Sequence, residues 1–349
     1  MTETTQPSSN NNSRRFAVVI GVVISIVFLV IAFRGLQPQD FLSSLSDVNV
    51  GLLLVGALTY FIAVVVIAWR WQFLLQSVQS VPLTDLTKIV AIGYMGNNVY
   101  PLRAGEALRL FLLKRNHDMP ITSSATTVVV ERVFDGVVML SFILIGLFLL
   151  DVTSQQIQQI LQFAVPIFAI AVIVFFVLAS FPKALRGLIV RLASILPERL
   201  ETVALDLSES ILIGFGSLRS PLHLIGAVVT SYSTWAIEAG VYWIVMQAFD
   251  LQLSYPVALL VVGTVNLAGL IPASPGQVGI YEFFVSSVLI AVGIGETMAL
   301  AYAVVVHIVI WLPITLVGFF FLVQYGLGWS AISNANTLNK DDNRSDGGD

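Results

Sequence analysis

The stretch NNVYPLRAGEALRLFLLKR, Asn97 to Arg115, places Arg103, Glu106 and Arg109 directly after an apolar run too short to cross a membrane. Between Lys88 and Pro101 only Ile89 to Tyr100 is uncharged, well under the ~20 residues a spanning helix needs. Gly93, Gly96 and the Asn97-Asn98 pair weaken the helix before Pro101 ends it. The stretch reads as a re-entrant helical hairpin, with Pro101 and Gly105 at its tip and polar groups held at bilayer depth.

The surrounding chain supplies the bilayer context. With 57% hydrophobic and 11% charged residues in 349, the composition is that of a polytopic membrane protein and excludes an ordinary soluble domain. Full-length apolar segments run Phe16 to Phe33, Gly51 to Trp69, Ile121 to Leu150, Ile157 to Phe181, Leu222 to Phe249 and Met298 to Leu327, which predicts about six spanning helices in an all-α protein. The first segment lacks a small-residue cleavage site and is followed by Arg34, so it is expected to stay as an anchor. The absence of cysteine excludes disulfides, thiolate metal sites and a thiol nucleophile.

Six spans with a cytoplasmic amino terminus put every Lys and Arg except Arg34 on the inner side, while Asp40, Asp47, Asp151, Asp250 and Glu296 face outward. The formal net charge of −4 therefore conceals a basic inner face suited to anionic lipid headgroups. Both termini are expected in the cytoplasm of a multi-pass plasma-membrane protein.

A second interruption lies near the other end. Pro256 to Ile271 is broken by PASPGQVG, residues Pro272 to Gly279, and resumes as Ile280 to Val292 with Glu282 inside. Pro272, Pro275, Gly276 and Gly279 free backbone groups that in lipid must be buried in protein or face a watery cavity, so this is a second hairpin. Tyr100-Pro101, three residues, Gly105-Glu106 parallels Ile271-Pro272, three residues, Gly276-Gln277. An odd number of spans separates the copies, which predicts an inverted-topology repeat whose hairpin tips approach each other. The expected organisation is a disordered cytoplasmic tail 1–15, one transmembrane domain 16–327 with halves 16–150 and 157–327, a cytoplasmic linker 183–220 of interfacial helices, and a polar cytoplasmic tail 328–349.

Arg103 and Arg109 offer planar, multi-donor cations suited to phosphate, whereas Lys114 and Arg115 need only the positive-inside bias. Glu106, three residues before Arg109, is spaced to pair with it. Glu131, Arg132 and Asp135 open a span, where a vestibule lining and an interfacial ion pair are both open readings. Glu238 falls mid-span, where a carboxylate is costly unless paired, protonated or hydrated, and is expected to face the cavity with Arg103 or Arg109 across from it. Glu282 is a similar candidate nearer the surface. His307 reads as packed between helices, and Trp69, Trp71, Trp311 and Trp329 as interface anchors or packing. No P-loop, HExxH or GxSxG is present and the three histidines lie far apart, so no enzyme chemistry, cofactor, metal or nucleic-acid partner is expected.

NxxYPLRxGExxR at Asn97 to Arg109, ERxxD at Glu131 to Asp135 and PxxPGxxGxxE at Pro272 to Glu282 resemble the flippase-like integral membrane family that includes the transmembrane domain of lysylphosphatidylglycerol synthase. The likeness covers Phe16 to Leu327. It implies movement of an anionic or glycosylated lipid between leaflets, the partner being a membrane phospholipid or polyprenyl-linked lipid. Asn98, Arg103, Glu106, Arg109, Pro272, Gly276 and Glu282 are the matching motif positions. The synthase members also carry a soluble aminoacyl-transferase domain, whereas this sequence runs from Asn334 to Asp349 as a polar tail, and Gln277 stands where PGGxG would have glycine. The leading expectation is a lipid flippase or scramblase. A membrane partner of a separately encoded lipid-modifying or glycosyl transferase is the alternative, and a membrane-embedded transferase using Glu238 or Glu282 as base is the third.

Overall fold

The computed structural model describes residues 10–34, 37–76, 78–150 and 220–326, with scattered positions between 166 and 205. The described residues form helices and connections and no strand. The helices are α1 (Asn10–Ala32), α2 (Pro38–Ser46), α3 (Val50–Leu75), α4 (Leu83–Val99), α5 (Ala104–His117), α6 (Ile121–Leu149), α7 (Pro221–Ala248), α8 (Tyr255–Ala268), α9 (Ile280–Ala291) and α10 (Glu296–Gln324). Their starts are written locally. Asn49 accepts the Leu52 N–H at 3.2 Å to cap α3, and prolines stand at or beside the first residue of α2, α4, α6, α7 and α8, where a missing N–H costs nothing.

Three of these helices, α3, α6 and α10, are long and apolar enough to cross a membrane. The apolar part of α1 and helices α8 and α9 are shorter. α7 is 28 residues long but buries Thr230, Ser231, Thr234 and Glu238. Outward-facing large apolar residues recur at helical spacing, as Leu54, Leu58 and Ile62 on α3, Leu222, Ile225 and Val229 on α7, and Leu316, Phe320 and Val323 on α10. Lipid is the solvent that such a girdle requires.

Several expectations are corrected at their boundaries. Helix α1 begins at Asn10, so residues 10–15, expected in the disordered tail, are helical. The second span does not stop at Trp69 but continues through Arg70 to Leu75, because Arg70 is neutralised inside the protein rather than left at the interface. Helix α2 had no counterpart in the sequence reading and packs against α10. The expected span Ile157 to Phe181, the linker 183–220 and the polar tail fall on residues outside those described, apart from isolated positions and Ser220.

Both interruptions break the helix where glycine and proline foretold. α4 and α5 fold back on each other through a 3-10 turn, Pro101–Arg103. Gly93, Gly96 and Gly105 bring their backbones together: a Cβ on Gly105 would run into the Gly93 carbonyl. The Asn97 side chain accepts the Gly105 N–H at 3.0 Å, which satisfies the break. α8 and α9 form the second hairpin around the turn Pro275–Gln277, and the two turns touch. Gly276, Gln277 and Gly279 all have positive φ, at 68°, 57° and 92°. Gln277 thus occupies a left-handed position that costs a non-glycine residue about 1–2 kcal/mol, and the departure from PGGxG is a local strain rather than a different turn.

Around the hairpins the packing is reciprocal. α3 lies against α7, α4 against α10, and α6 against α8. Small residues allow the two crossings: a Cβ on Gly318 would meet the Ala91 carbonyl, and one on Gly263 would meet the Met139 carbonyl.

Candidate functional site

A cavity of about 430 Å³ lies between the two hairpins. Its walls carry Asn97, Asn98, Pro101, Arg103 and Glu106 from the first hairpin, Arg132 from α6, Glu238 and Tyr242 from α7, Pro272 to Gln277 from the second break, and His307 and Trp311 from α10. Among helices with apolar outer faces this is a polar interior, reached by side chains from both halves.

Behind the first hairpin sits a buried ion network. Arg70, 1% exposed, donates Nη2 to Glu131 Oε1 at 2.6 Å and Nη1 to Asp135 Oδ1 at 2.5 Å. Arg109, 5% exposed, donates Nη2 to Glu131 Oε2 at 2.9 Å, and its guanidinium carbon lies 3.9 Å from the Trp71 ring centroid, a stacked cation–π contact. Trp235 Nε1 donates to Asp135 Oδ1 at 2.7 Å, and Trp71 Nε1 to Thr127 Oγ1 at 3.0 Å. Arg132 extends toward the cavity, 3.3 Å from each of Glu131 Oε1 and Asp135 Oδ2 and 4.0 Å from Glu106 Oε1. Charges removed from water survive only when opposed and hydrogen-bonded in this way.

This network revises several assignments. Arg109 lines the cavity but is held by Glu131, so a ligand anion meets it already partnered. Glu106 faces Arg132, not Arg109, because the hairpin turns Arg109 toward α6. Glu131 and Asp135 are buried structural counterions behind the cavity, and only Arg132 of that cluster reaches it. Asn98 ties α4 to α10 by donating to Thr315 Oγ1 at 2.8 Å and the Trp311 carbonyl at 3.4 Å. Glu282 is packed inside the protein, 5% exposed, and is not on the cavity wall. It accepts the Gly279 N–H at 2.6 Å and bonds His307 Nδ1 at 2.6 Å, so it closes the start of α9 and does not line the cavity. His307 stacks on Tyr281, with centroids 4.0 Å apart. Trp71 is fully buried and Trp311 lines the cavity, so neither is an interface anchor.

Two charges remain over. Arg103, exposed at the hairpin tip with φ 54°, has no ion-pair partner among the described residues, and neither has Glu238, which is 6% exposed with the Asn266 side chain beside it. Glu238 does not pair with Arg103 or Arg109, so the expected carboxylate–arginine pair across the cavity is absent from this arrangement. The residues that sequence reading missed are Arg70, Tyr60, Tyr94, Trp235 and Tyr242. Trp235 and Tyr242 stand three before and four after Glu238, on one helical face, and that spacing was a usable signal.

The unpaired state of Glu238 has a measurable consequence. Glu238→Gln and Glu238→Leu are expected to melt, by tryptophan fluorescence in detergent, close to the parent protein, since neither strands a cation. Collapse of both would make Glu238 a structural residue, because breaking a buried pair costs about 3–5 kcal/mol.

Long apolar helices, two packed helical hairpins and a charged cavity between them define an all-helical integral membrane protein. The chain belongs to the family of the lysylphosphatidylglycerol synthase transmembrane region, whose sequence profile it matches over residues 18–318. It is 24% identical to glycosyltransferase AglD of Haloferax volcanii over 85% of this chain and 52% of that protein. This chain thus spans about half the length of that relative. A UPF0104 membrane protein of Methanothermobacter thermautotrophicus is 25% identical over 90% of this chain and 94% of its own length, and one of Pyrococcus horikoshii is 22% identical over 86% and 94%.

Proposed function

We propose that the protein moves an anionic or glycosylated phospholipid, or a polyprenyl-linked one, between membrane leaflets as a flippase or scramblase. The observation that carries the reading is Arg103, a cation without an ion-pair partner among the described residues, at the edge of a polar cavity enclosed by apolar, lipid-facing helices. The headgroup phosphate meets Arg103 first and the partnered Arg132 and Arg109 next, while Glu238, Asn98 and the turn Pro272 to Gly279 form the rest of the polar lining and its support. Acyl chains stay in the bilayer.

The architecture proposed with it is an inverted repeat of span, span, hairpin, span, making six spans with Ile157 to Phe181 as the fourth. Reciprocal packing supports it: α4 with α10 corresponds to α8 with α6, and α3 with α4 to α7 with α8. Within this scheme 16–327 is one domain, both termini and 183–220 are cytoplasmic, and the membrane is the plasma membrane. Because the chain lacks cysteine, single cysteines at positions 151 and 190 report sidedness without background. Position 151 is expected to label from outside and position 190 from inside, and labelling of 151 from the inside alone would overturn the repeat.

The activity is tested by reconstituting the purified chain into phosphatidylglycerol-containing vesicles with a dye-labelled lipid and an impermeant quencher. The expected result is quenching beyond the outer-leaflet share, and quenching equal to protein-free vesicles would refute lipid movement. The length of the Haloferax relative, named a glycosyltransferase, favours one second reading: a membrane partner of a separately encoded transferase, in which the hairpins hold lipid without moving it. Binding without movement is its signature.

A further inference from the structure

The charges of the ion network behind the first hairpin are paired with one another, and two ionisable groups on the cavity wall in front of it are not. Arg70, Arg109 and Arg132 are opposed by Glu131, Asp135 and Glu106, and His307 is bonded to Glu282. What is left to face the 430 Å³ cavity is one cation, Arg103, and one carboxylate, Glu238. Neither has an ion-pair partner among the described residues. Both line the same cavity between the two hairpins.

Titratable and charged groups among the described residues face Glu238 from several helices. They are Tyr60 on α3, Tyr94 on α4, Asp135 on α6, Tyr242 on α7 and Tyr281 on α9. α8 contributes Asn266, which is neutral. α10 contributes His307, engaged by Glu282 and stacked on Tyr281, and Tyr302, which donates to the Tyr242 carbonyl at 2.8 Å. Tyr281 Oη donates to Tyr242 Oη at 2.6 Å. No cation touches Glu238 from any of these elements.

An anionic headgroup held at Arg103 adds a negative charge to the space that Glu238 faces. A like charge nearby disfavours the ionised carboxylate. We infer that entry of a phosphodiester headgroup is accompanied by uptake of a proton on Glu238, so that lipid and proton occupy the cavity together. The proton comes from the buffered bulk solution and binds a carboxylate oxygen, and the neutral acid that results donates a hydrogen bond instead of repelling the phosphate. This rests on the reading of the cavity as an anionic-lipid site and adds the coupling: a proton gradient then becomes a driving force for the lipid. By reciprocity the proton and the lipid strengthen each other's binding, so affinity is highest at low pH and falls where Glu238 is ionised in the free protein and must be protonated on binding.

The test is calorimetric titration of the purified full chain in detergent with dihexanoyl-phosphatidylglycerol, a phosphodiester of constant charge over the range used. Each titration is run in two buffers of different protonation enthalpy, from about pH 6 to about pH 9, where histidine and shifted carboxylates titrate. The parent protein is expected to take up as much as one proton per lipid bound, with Kd rising up to about tenfold per pH unit on the alkaline side. Glu238→Gln should abolish the uptake and flatten the pH dependence, while His307→Gln should keep both. Binding by the parent with no proton uptake at any pH would overturn the coupling and leave the lipid site standing, as would uptake undiminished in Glu238→Gln. Should Glu238→Gln fail to fold, loss of the uptake in His307→Gln would likewise overturn it. Absence of any lipid binding would remove both the site and the coupling.

Discussion

Arg70→Ala is expected to destabilise the protein by roughly 3–5 kcal/mol, the cost of stranding buried charges. Arg70 is almost wholly buried and binds Glu131 and Asp135 with separate nitrogens at 2.6 and 2.5 Å, so its loss leaves two carboxylates short of their closest cation. Arg109 and Arg132 cannot take its place: one is fixed over Trp71 and the other stretches toward the cavity. Arg70→Lys should recover only part of the loss, since a single ammonium cannot reproduce the planar fork. The melting temperature followed by tryptophan fluorescence and the yield of monodisperse protein in detergent read the effect. An unchanged melting temperature in Arg70→Ala would mean that the network does not hold α3 to α6.

Arg103→Ala is expected to do the opposite, leaving the fold intact and removing lipid movement. Arg103 is exposed at the turn and has no ion pair among the described residues, so little stability depends on its side chain. A charge-assisted contact to phosphate contributes about 1.5–3 kcal/mol, which corresponds to a loss of roughly ten- to a hundredfold in lipid affinity. Arg103→Gly separates charge from backbone, because φ 54° suits glycine; it should melt no lower than the parent and still fail to move lipid. Arg103→Lys should rescue only in part. Lys114→Ala is the control. Lys114 lies in the last turn of α5, bonded at 2.8 Å to Asp118, whose carboxyl that bond holds below its usual range, and exposed pairs of this kind contribute about 0–1 kcal/mol. Equal loss of lipid movement in Arg103→Ala and Lys114→Ala at matched expression would return Arg103 to the role of an orientation signal.

The contrast between these two arginines marks where reading residues in order stops being informative. Arg70 follows an apolar run and has the local pattern of a base at a membrane interface, yet its partners lie 61 and 65 residues further on. Arg109 and Glu106 are three apart and spaced to pair, and the fold gives each a different partner. Glu282 had the pattern of a cavity carboxylate, but the bend at Gly279 turns it back onto its own helix start and onto His307.

What the sequence determined by itself was local and punctuated. Apolar runs set the helices, because a backbone in lipid has to satisfy its own hydrogen bonds. Proline, glycine and asparagine set the two breaks, because they remove donors, side chains or helical preference at fixed places. Tertiary structure alone decided which charges are spent and which are available. Ion pairs are sorted by helix packing across distances that periodicity does not carry, and the low polarity of the interior makes that sorting severe. Packing α3, α5 and α6 together consumes Arg70, Arg109, Glu131 and Asp135, and it leaves Arg103 and Glu238 facing the same space.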